Sequence, residues 1–446
     1  MPADASVHPC LLHVVDSLET GGLERFVCDL ALSQHAAGQR VAVFSLNRTE
    51  GFRGTLEAGG VEVIQGDKRG GFDRALIRRL RALVRERGVD VVHSHNFVPN
   101  YYAALALLGL RCALVNTCHN MGTRLAQRRL RAFFRLSLLR TARIATVGEA
   151  ARAHLVGAGL LPAARTQALD NGIPVQRFAR GAAARAEARA LLGLSPDAPV
   201  LGCVGRLVEL KNHALLIRVL PALRARHADL ALVLIGDGPL RSALQQQAQA
   251  LGASDCVHFA GDRSDVARLL CAFDVFVQPS RTEGLSIALL EASAAGCAIV
   301  ASRVGGNPEI VADGQRGRLF ESDDAAALEA LLSELLGDAA QRQRLGEAAR
   351  AVREVGIERA RARYAVLYAQ AQRRCARAAA GAFEGVGAPA AHRGVLAQVA
   401  AKRPRAKRTE ATRKAQFKAN RNAGMRSSAG STPPRALCRQ HIAASA

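Results

Sequence analysis

Asp274-Val275-Phe276-Val277-Gln278-Pro279-Ser280-Arg281-Thr282-Glu283-Gly284-Leu285-Ser286-Ile287-Ala288-Leu289-Leu290-Glu291 runs from a strand through a turn into the start of a helix. The stretch Val275-Phe276-Val277 is continuously apolar rather than alternating, the pattern of a strand covered on both faces. Pro279 ends it, because proline cannot donate to a sheet ladder. Gly284 and the residues after it then open a helix. The same unit recurs on either side. Ala298-Ile299-Val300 follows as the next strand, and Val200–Val204, residues 230–235 and Val257-His258-Phe259 precede. Helical patterns over 214–227 and 239–251 lie between them.

An earlier series has the same grammar. Leu11–Val15, 41–44, 61–64, 89–93, 113–115 and 144–147 read as buried strands, with helices over 23–35 and 72–87. Continuous apolar strands separated by helices predict a parallel sheet with both faces covered, and there are two such series. The pattern breaks at Asn171-Gly172-Ile173-Pro174, a turn signal, and an Ala/Arg-rich helical connector over 180–192 follows. The expected organisation is a first Rossmann-like domain over 1–178, a linker over 179–196 and a second over 197–350. A long helical run is read over 338–374, and helices over 351–380 are expected to pack back on the first domain. A basic low-complexity tail over 381–446 is expected to be disordered.

Of the 446 residues, 49% are apolar, enough for a large core, while aromatics are 4% and tryptophan is absent. That favours a Leu/Val/Ile/Ala core in an α/β protein over an aromatic-rich sandwich. The net charge is +23. Residues 401–446 carry twelve Lys and Arg against one Glu, so the body remains basic without them. This balance favours phosphate-bearing ligands, anionic membrane or nucleic acid without choosing among them. Ten scattered cysteines form no Cys-x-x-Cys, so they read as small buried residues in a reducing compartment. Residues 1–16 lack a basic segment followed by an apolar one, and the apolar run 101–110 is too short to span a bilayer. A cytoplasmic location is expected, with the inner face of a membrane as a further one.

In doubly wound sheets ligands bind beyond the carboxyl ends of the strands, and the informative residues follow strands here. Glu283 and Glu291 are eight apart, about two helical turns, and are expected on roughly one face. Gly284 and its successors would offer free N–H groups to an anion at a helix start. Gly205-Arg206-Leu207 with Lys211 places two cations after another strand. Arginine grips a phosphate bidentately and lysine supplies a point charge. No Asp-x-Asp triplet occurs, so no metal is expected to carry the diphosphate. His93 and His95 share one strand face, but no third ligand is evident, so no metal centre is assigned.

These segments together resemble glycosyltransferase family 4, retaining enzymes of the GT-B fold. The resemblance rests on Glu283 to Glu291, Gly205-Arg206 with Lys211, and Gly236-Asp237-Gly238-Pro239-Leu240. It also rests on Asp274 to Ser280, Gly305-Gly306-Asn307-Pro308-Glu309 and Thr20-Gly21-Gly22-Leu23-Glu24. Val92-His93-Ser94-His95, Thr117-Cys118-His119-Asn120 and Asn171-Gly172-Ile173 complete it, from about residue 11 to 368. It implies two Rossmann-like domains facing a cleft, and sugar transfer from a nucleotide-sugar donor to a hydroxyl of a glycan or polyprenyl-linked saccharide. Arg206 and Lys211 would neutralise the departing diphosphate, and the backbone of Gly284, Leu285 and Ser286 would cup the distal phosphate. Glu291 would hold the ribose hydroxyls, while Glu283 and His119 would touch the transferred sugar. Gly21, Gly22, Gly205, Gly236 and Gly238 would line the donor site, and no cofactor is implied. No nucleophilic carboxylate is evident among the N-terminal cleft motifs, so a same-face displacement assisted by the leaving phosphate is the mechanism implied.

Two basic elements stand outside this reading. Residues 123–143 mix arginines with Leu125, Leu130, Phe133, Phe134, Leu136, Leu138 and Leu139, which suits a helix lying on an anionic membrane surface. The tail holds only Phe417 among aromatics in 401–446, so specific nucleic-acid binding is not expected of it. The competing functions are a GT-B phosphorylase or sugar-nucleotide epimerase, for which no phosphate pocket is evident, and nonspecific nucleic-acid binding through the tail.

Overall fold

The computed structural model describes residues 9–119, 125, 127–178, 181–351 and 356–384. Asn120, the start of the 123–143 segment, Arg180 and residues 385–446 of the tail lie outside them, while residues 381–384, expected in the tail, belong to the last helix.

The first sheet is built from β1 (Leu11–Val15), β2 (Val41–Ser45), β3 (Glu62–Gln65), β4 (Val91–His95), β5 (Ala113–Cys118), β6 (Arg143–Thr146) and β7 (Thr166–Ala168). Its order is β3-β2-β1-β4-β5-β6-β7, with every pair parallel. The second uses β8 (Val200–Val204), β9 (Ala231–Ile235), β10 (Val257–Gly261), β11 (Val275–Gln278), β12 (Ala298–Ser302) and β13 (Arg318–Phe320), in the order β10-β9-β8-β11-β12-β13, again parallel. Strand order reverses beside β1 in one sheet and beside β8 in the other. A crevice opens at each reversal, beyond the carboxyl ends of the strands. Strands β1, β4, β5, β9 and β12 are buried at every residue, which is why their sequences do not alternate.

Several short elements escape the periodicity reading: the helices Arg53–Ala58, Phe97–Ala106 and Glu149–Gly157, and the strands β7 and β13. Residues 101–106 of the apolar run 101–110 form the second half of a largely buried helix, Phe97–Ala106, over β4 and β5, and the rest of the run lies beyond its end. The long run 338–374 is two helices, Ala339–Arg350 and Ile357–Glu384. The second of these crosses back to the first sheet. Arg361 donates to the Ser33 carbonyl at 2.8 Å, Arg363 reaches Asp170 at 3.0 Å, and Tyr364 and Tyr368 are fully buried. The connector helix Ala182–Leu191 packs on the helix Val266–Leu269 and the turn Leu270–Ala272 that precede β11, and Arg189 and Arg185 share the Asp274 carboxylate at 2.9 and 2.7 Å.

Candidate functional site

The strand-end loops of the two sheets meet around Gly284. A Cβ on Gly284 would lie 2.5 Å from the His119 carbonyl and 3.2 Å from Val147, so only glycine lets this loop approach the end of β5. Gly306 N–H donates to the Gly284 carbonyl at 2.8 Å and ties the loop from behind. Gly305 stands at φ +51, the left-handed region, directly over the Glu283 carbonyl. Gly22, the first residue of the helix Gly22–Ala36, packs against Ile287.

Glu283 is gathered by three donors. Its Oε1 accepts from Lys211 Nζ at 2.6 Å, Gln278 Nε2 at 2.7 Å and Ser280 Oγ at 2.6 Å. The carboxylate is 9% exposed and Lys211 25% exposed, so this is a nearly buried pair with one face open. Lys211 closes the 3-10 turn Glu209–Lys211. Arg206 follows β8 and is exposed, with no ion-pair partner among the described residues. Gly205 and Gly236 lie back to back: Gly205 N–H donates to Ile235 at 2.9 Å, and Leu207 N–H donates to Asp237 at 3.0 Å. Asp237 accepts from Gly238 N–H at 2.7 Å, which holds its exposed carboxyl below the ordinary range, and pairs with Arg241 at 2.8 Å.

The two glutamates do not share a helix face. The helix is Ile287–Ala294, so Glu283 belongs to the loop before it and only Glu291 is helical. The eight-residue spacing reads as two turns only if the helix has already begun. Ser286 is its N-cap, accepting from Leu289 N–H at 3.3 Å and donating to Gln278 Oε1 at 2.9 Å. Its hydroxyl is therefore committed locally. Leu285 is buried, and its carbonyl accepts from Asn171 Nδ2 at 3.4 Å, so these residues offer a ligand their backbone.

Glu291 is 8% exposed, and burial pushes its carboxyl up to about 7 against the pull of Arg25 and Arg177. Those arginines hold Asp29 at 3.2 and 2.6 Å. Glu24, on the N-terminal side, was missing from the expected site. It folds over Gly21, where a Cβ would strike its carboxyl. Burial pushes it up to about 7, opposed by the Arg206 charge. A carboxyl group thus stands beside the N-terminal glycine pair. The motif containing it was in view; its backward fold was not.

His119 follows β5. Its N–H donates to Asn96 Oδ1 at 2.8 Å, and its Nε2 meets His95 Nδ1 at 3.0 Å. His95 Nε2 meets His13 Nδ1 at 3.0 Å, and His13 Nε2 meets Gln34 Oε1 at 2.7 Å. The third imidazole beside His93 and His95 is thus His13, three ring nitrogens lying within 4.8 Å of one another. Each ring nitrogen of the three already has a hydrogen-bond partner, so the cluster is accounted for as a polar network. The sequence signal was a polar residue inside the apolar strand β1. Asn307 is structural, donating to the Ser302 carbonyl at 2.9 Å. Glu309 reaches across the cleft to the N-terminus of Glu149–Gly157, accepting from Ala150 N–H at 2.7 Å.

Family profiles agree with this two-part architecture. A profile described as Glycosyltransferase Family 4 matches residues 20–177, and one described as Glycosyl transferases group 1 matches 184–352. The chain is 40% identical over 200 residues to a GDP-mannose-dependent alpha-(1-6)-phosphatidylinositol monomannoside mannosyltransferase of Mycolicibacterium smegmatis, covering 42% of this chain and 52% of that one. It is 29% identical to a D-inositol 3-phosphate glycosyltransferase of Streptomyces avermitilis, covering 77% of this chain and 82% of that one. The chain spans about half the length of the relatives it matches at 35–40% identity. Anabaena HepE, solved with UDP and glucose, superposes with a TM-score of 0.74 at 21% identity over 81% of this chain and all of that one, a likeness of fold.

Proposed function

The chain belongs to the GT-B glycosyltransferases of the family 4 type; we propose that it moves a sugar from a nucleotide-sugar donor to a hydroxyl of a glycan or lipid-linked saccharide. The transfer retains anomeric configuration and needs no metal. The observation that supports this most directly is Lys211 held at 2.6 Å on the Glu283 carboxylate, while Arg206, exposed after the same strand β8, has no ion-pair partner among the described residues. A departing nucleoside diphosphate needs cationic partners, and two are present at strand ends of one sheet. In this reading Arg206 and Lys211 hold the diphosphate, and backbone N–H groups around Gly284 to Ile287 cup its distal phosphate. Glu291 holds the ribose hydroxyls, the open oxygen of Glu283 and the ring of His119 hold the sugar, and Gly21 and Gly22 keep the N-terminal loop close. The sugar–phosphate bond breaks as the acceptor oxygen bonds the same face, and the acceptor's proton passes to the leaving phosphate.

Thermal shift with GDP-, UDP-, ADP- and TDP-sugars tests the donor. GDP-mannose comes first because the M. smegmatis relative is named for it. One donor should stabilise the fold by about 3 kcal/mol at a hundred times its Kd, and transfer from it should survive EDTA. No shift with any sugar nucleotide, or loss with EDTA reversed by magnesium, overturns the reading.

A location at the cytoplasmic face of a membrane belongs to the same proposal. No helix among the described residues is long and apolar enough to cross one. The helix Arg128–Leu138 and the residue after it expose Phe133, Leu136 and Leu139 among Arg128, Arg129 and Arg135. Phe134 does not belong to that face: it is fully buried, edge-on to Phe97 at 4.8 Å. Replacing Phe133, Leu136 and Leu139 by Ser should release the chain from anionic vesicles at about 0.5 M salt, where charge alone is screened within ~5 Å. Unchanged sedimentation would remove this face from the membrane.

A further inference from the structure

Behind His119 lies a run of side chains that has no part in the chemistry just described. Gln34, His13, His95 and His119 are joined end to end at 2.7, 3.0 and 3.0 Å. Gln34, His13 and His95 are fully buried, so no water is available to replace a missing bond. Burial also pushes His13 down to about 4 and His119 to about 3, and lowers His95 well below the ordinary imidazole range. The rings are neutral near pH 7, and a neutral imidazole has one N–H and one bare nitrogen.

That constraint makes the chain directional. Gln34 Oε1 can only accept, so His13 donates from Nε2 and its Nδ1 must accept. His95 then donates from Nε2 and accepts at Nδ1, and His119 donates from Nε2. Its own Nδ1 is left bare. The other side of the Gln34 amide, Nε2, lies 3.2 Å from Tyr368 OH, a hydroxyl able to donate or accept, so the orientation of the amide itself sets the direction of the run. Tyr368 OH donates to His93 Nδ1 at 2.9 Å in this orientation, His93 Nε2 donates to Thr117 at 2.7 Å, and Thr117 meets Tyr364 at 3.1 Å. Turning the Gln34 amide over would reverse every bond and leave His119 a donor at Nδ1.

We propose that Gln34 is a positioning residue that sets the hydrogen-bonding polarity of His119, fixing it as the Nε2–H tautomer whose Nδ1 accepts from a hydroxyl of the transferred sugar. The second half rests on the reading of His119 as a sugar contact. Selectivity follows from it: a donor sugar carrying a hydroxyl at this place is held, and a deoxy sugar leaves Nδ1 unpaired.

The test is nitrogen NMR of the full chain with ring-labelled histidine, His119 being identified by the signal lost in His119→Gln. Wild type should show His119 protonated at Nε2 only. Gln34→Met keeps the volume and removes the acceptor; His119 should become a mixture of tautomers, and kcat should fall roughly tenfold with nucleoside diphosphate affinity unchanged, the worth of one hydrogen bond. Gln34→Leu, of similar volume and equally without an acceptor, should give the same mixture of tautomers and the same fall in kcat, and it serves if the methionine variant does not fold. An Nδ1–H tautomer at His119 in wild type, or a tautomer indifferent to residue 34, overturns the proposal. Tautomers that respond as stated while transfer does not would overturn its second half and leave nucleotide binding, tested above, untouched.

Discussion

Lys211→Met should still fold, with a lower melting temperature, and transfer sugar roughly thirty- to a thousandfold more slowly, the removal of a cation facing a developing anion being worth ~2–4 kcal/mol. Two losses combine at this position. The ammonium is the point charge nearest Glu283, at 2.6 Å, and the proposed diphosphate would share it. Without it the Glu283 carboxylate, 9% exposed, keeps only the neutral donors Gln278 and Ser280. A buried carboxylate stripped of its cation is costly to keep ionised and drifts from its geometry. Lys211→Arg should not rescue, because a planar fork cannot occupy the place of a single ammonium held by one carboxylate oxygen. The check is kcat at saturating donor, alongside the melting temperature. A kcat within about fivefold of wild type would mean that no charge develops beside Lys211, because even one exposed phosphate contact exceeds that.

How much of this site was legible in the sequence depends on what each residue needs in order to be recognised. Arg206, Lys211, Glu283 and Gly284 follow strands whose apolar runs stand out, so the fold rule alone directs attention to them. The helix boundary at Ile287 was harder, because Gly284-Leu285 is apolar enough to extend the pattern backward, while the cap that ends it is a serine hydroxyl turned toward Gln278. Glu24 and Glu309 act by folding onto a neighbouring backbone, Glu309 onto a helix 159 residues away. No local spacing carries such information. The histidine chain draws on β1, β4, β5 and the helix Gly22–Ala36, and is closed by Tyr368 from the far end of the chain. Only the parallel pairing of β1 with β4, which sets His13 beside His93, brings its members together. Short elements such as β7 and β13 have three residues each, too few to show any period.

Acid should destabilise this chain steeply, and the same histidines are the reason. Burial lowers His13 to about 4, His119 to about 3 and His213 to about 4, and carries His93 and His95 well below the ordinary value. His213 is the extreme case, buried with both ring nitrogens unpartnered. Between these values and 6.5 the unfolded chain takes up protons that the native state refuses, so stability rises with pH across that window. Glu24 and Glu291 act in the opposite sense. Their carboxyls are pushed up to about 7, so from about 4.5 to about 7 the native state holds protons that the unfolded chain has released. Stability falls with pH on their account. Five imidazoles outweigh two carboxyls: near pH 5.5 unfolding should take up on the order of three protons, a slope of roughly 4 kcal/mol per pH unit. Approaching pH 7 the two contributions cancel, since the unfolded imidazoles lose their protons as the native carboxyls still hold theirs. Denaturant midpoints should therefore climb from pH 5 to about 6.5 and level off near neutrality. His213→Phe, which removes one proton-binding group without entering the chain behind His119, should flatten the acid limb by about one proton. Glu291→Gln should steepen it by nearly as much. A midpoint independent of pH between 5 and 6.5 would mean that these rings reach water in the native state, and with it the neutral network behind His119 would fall.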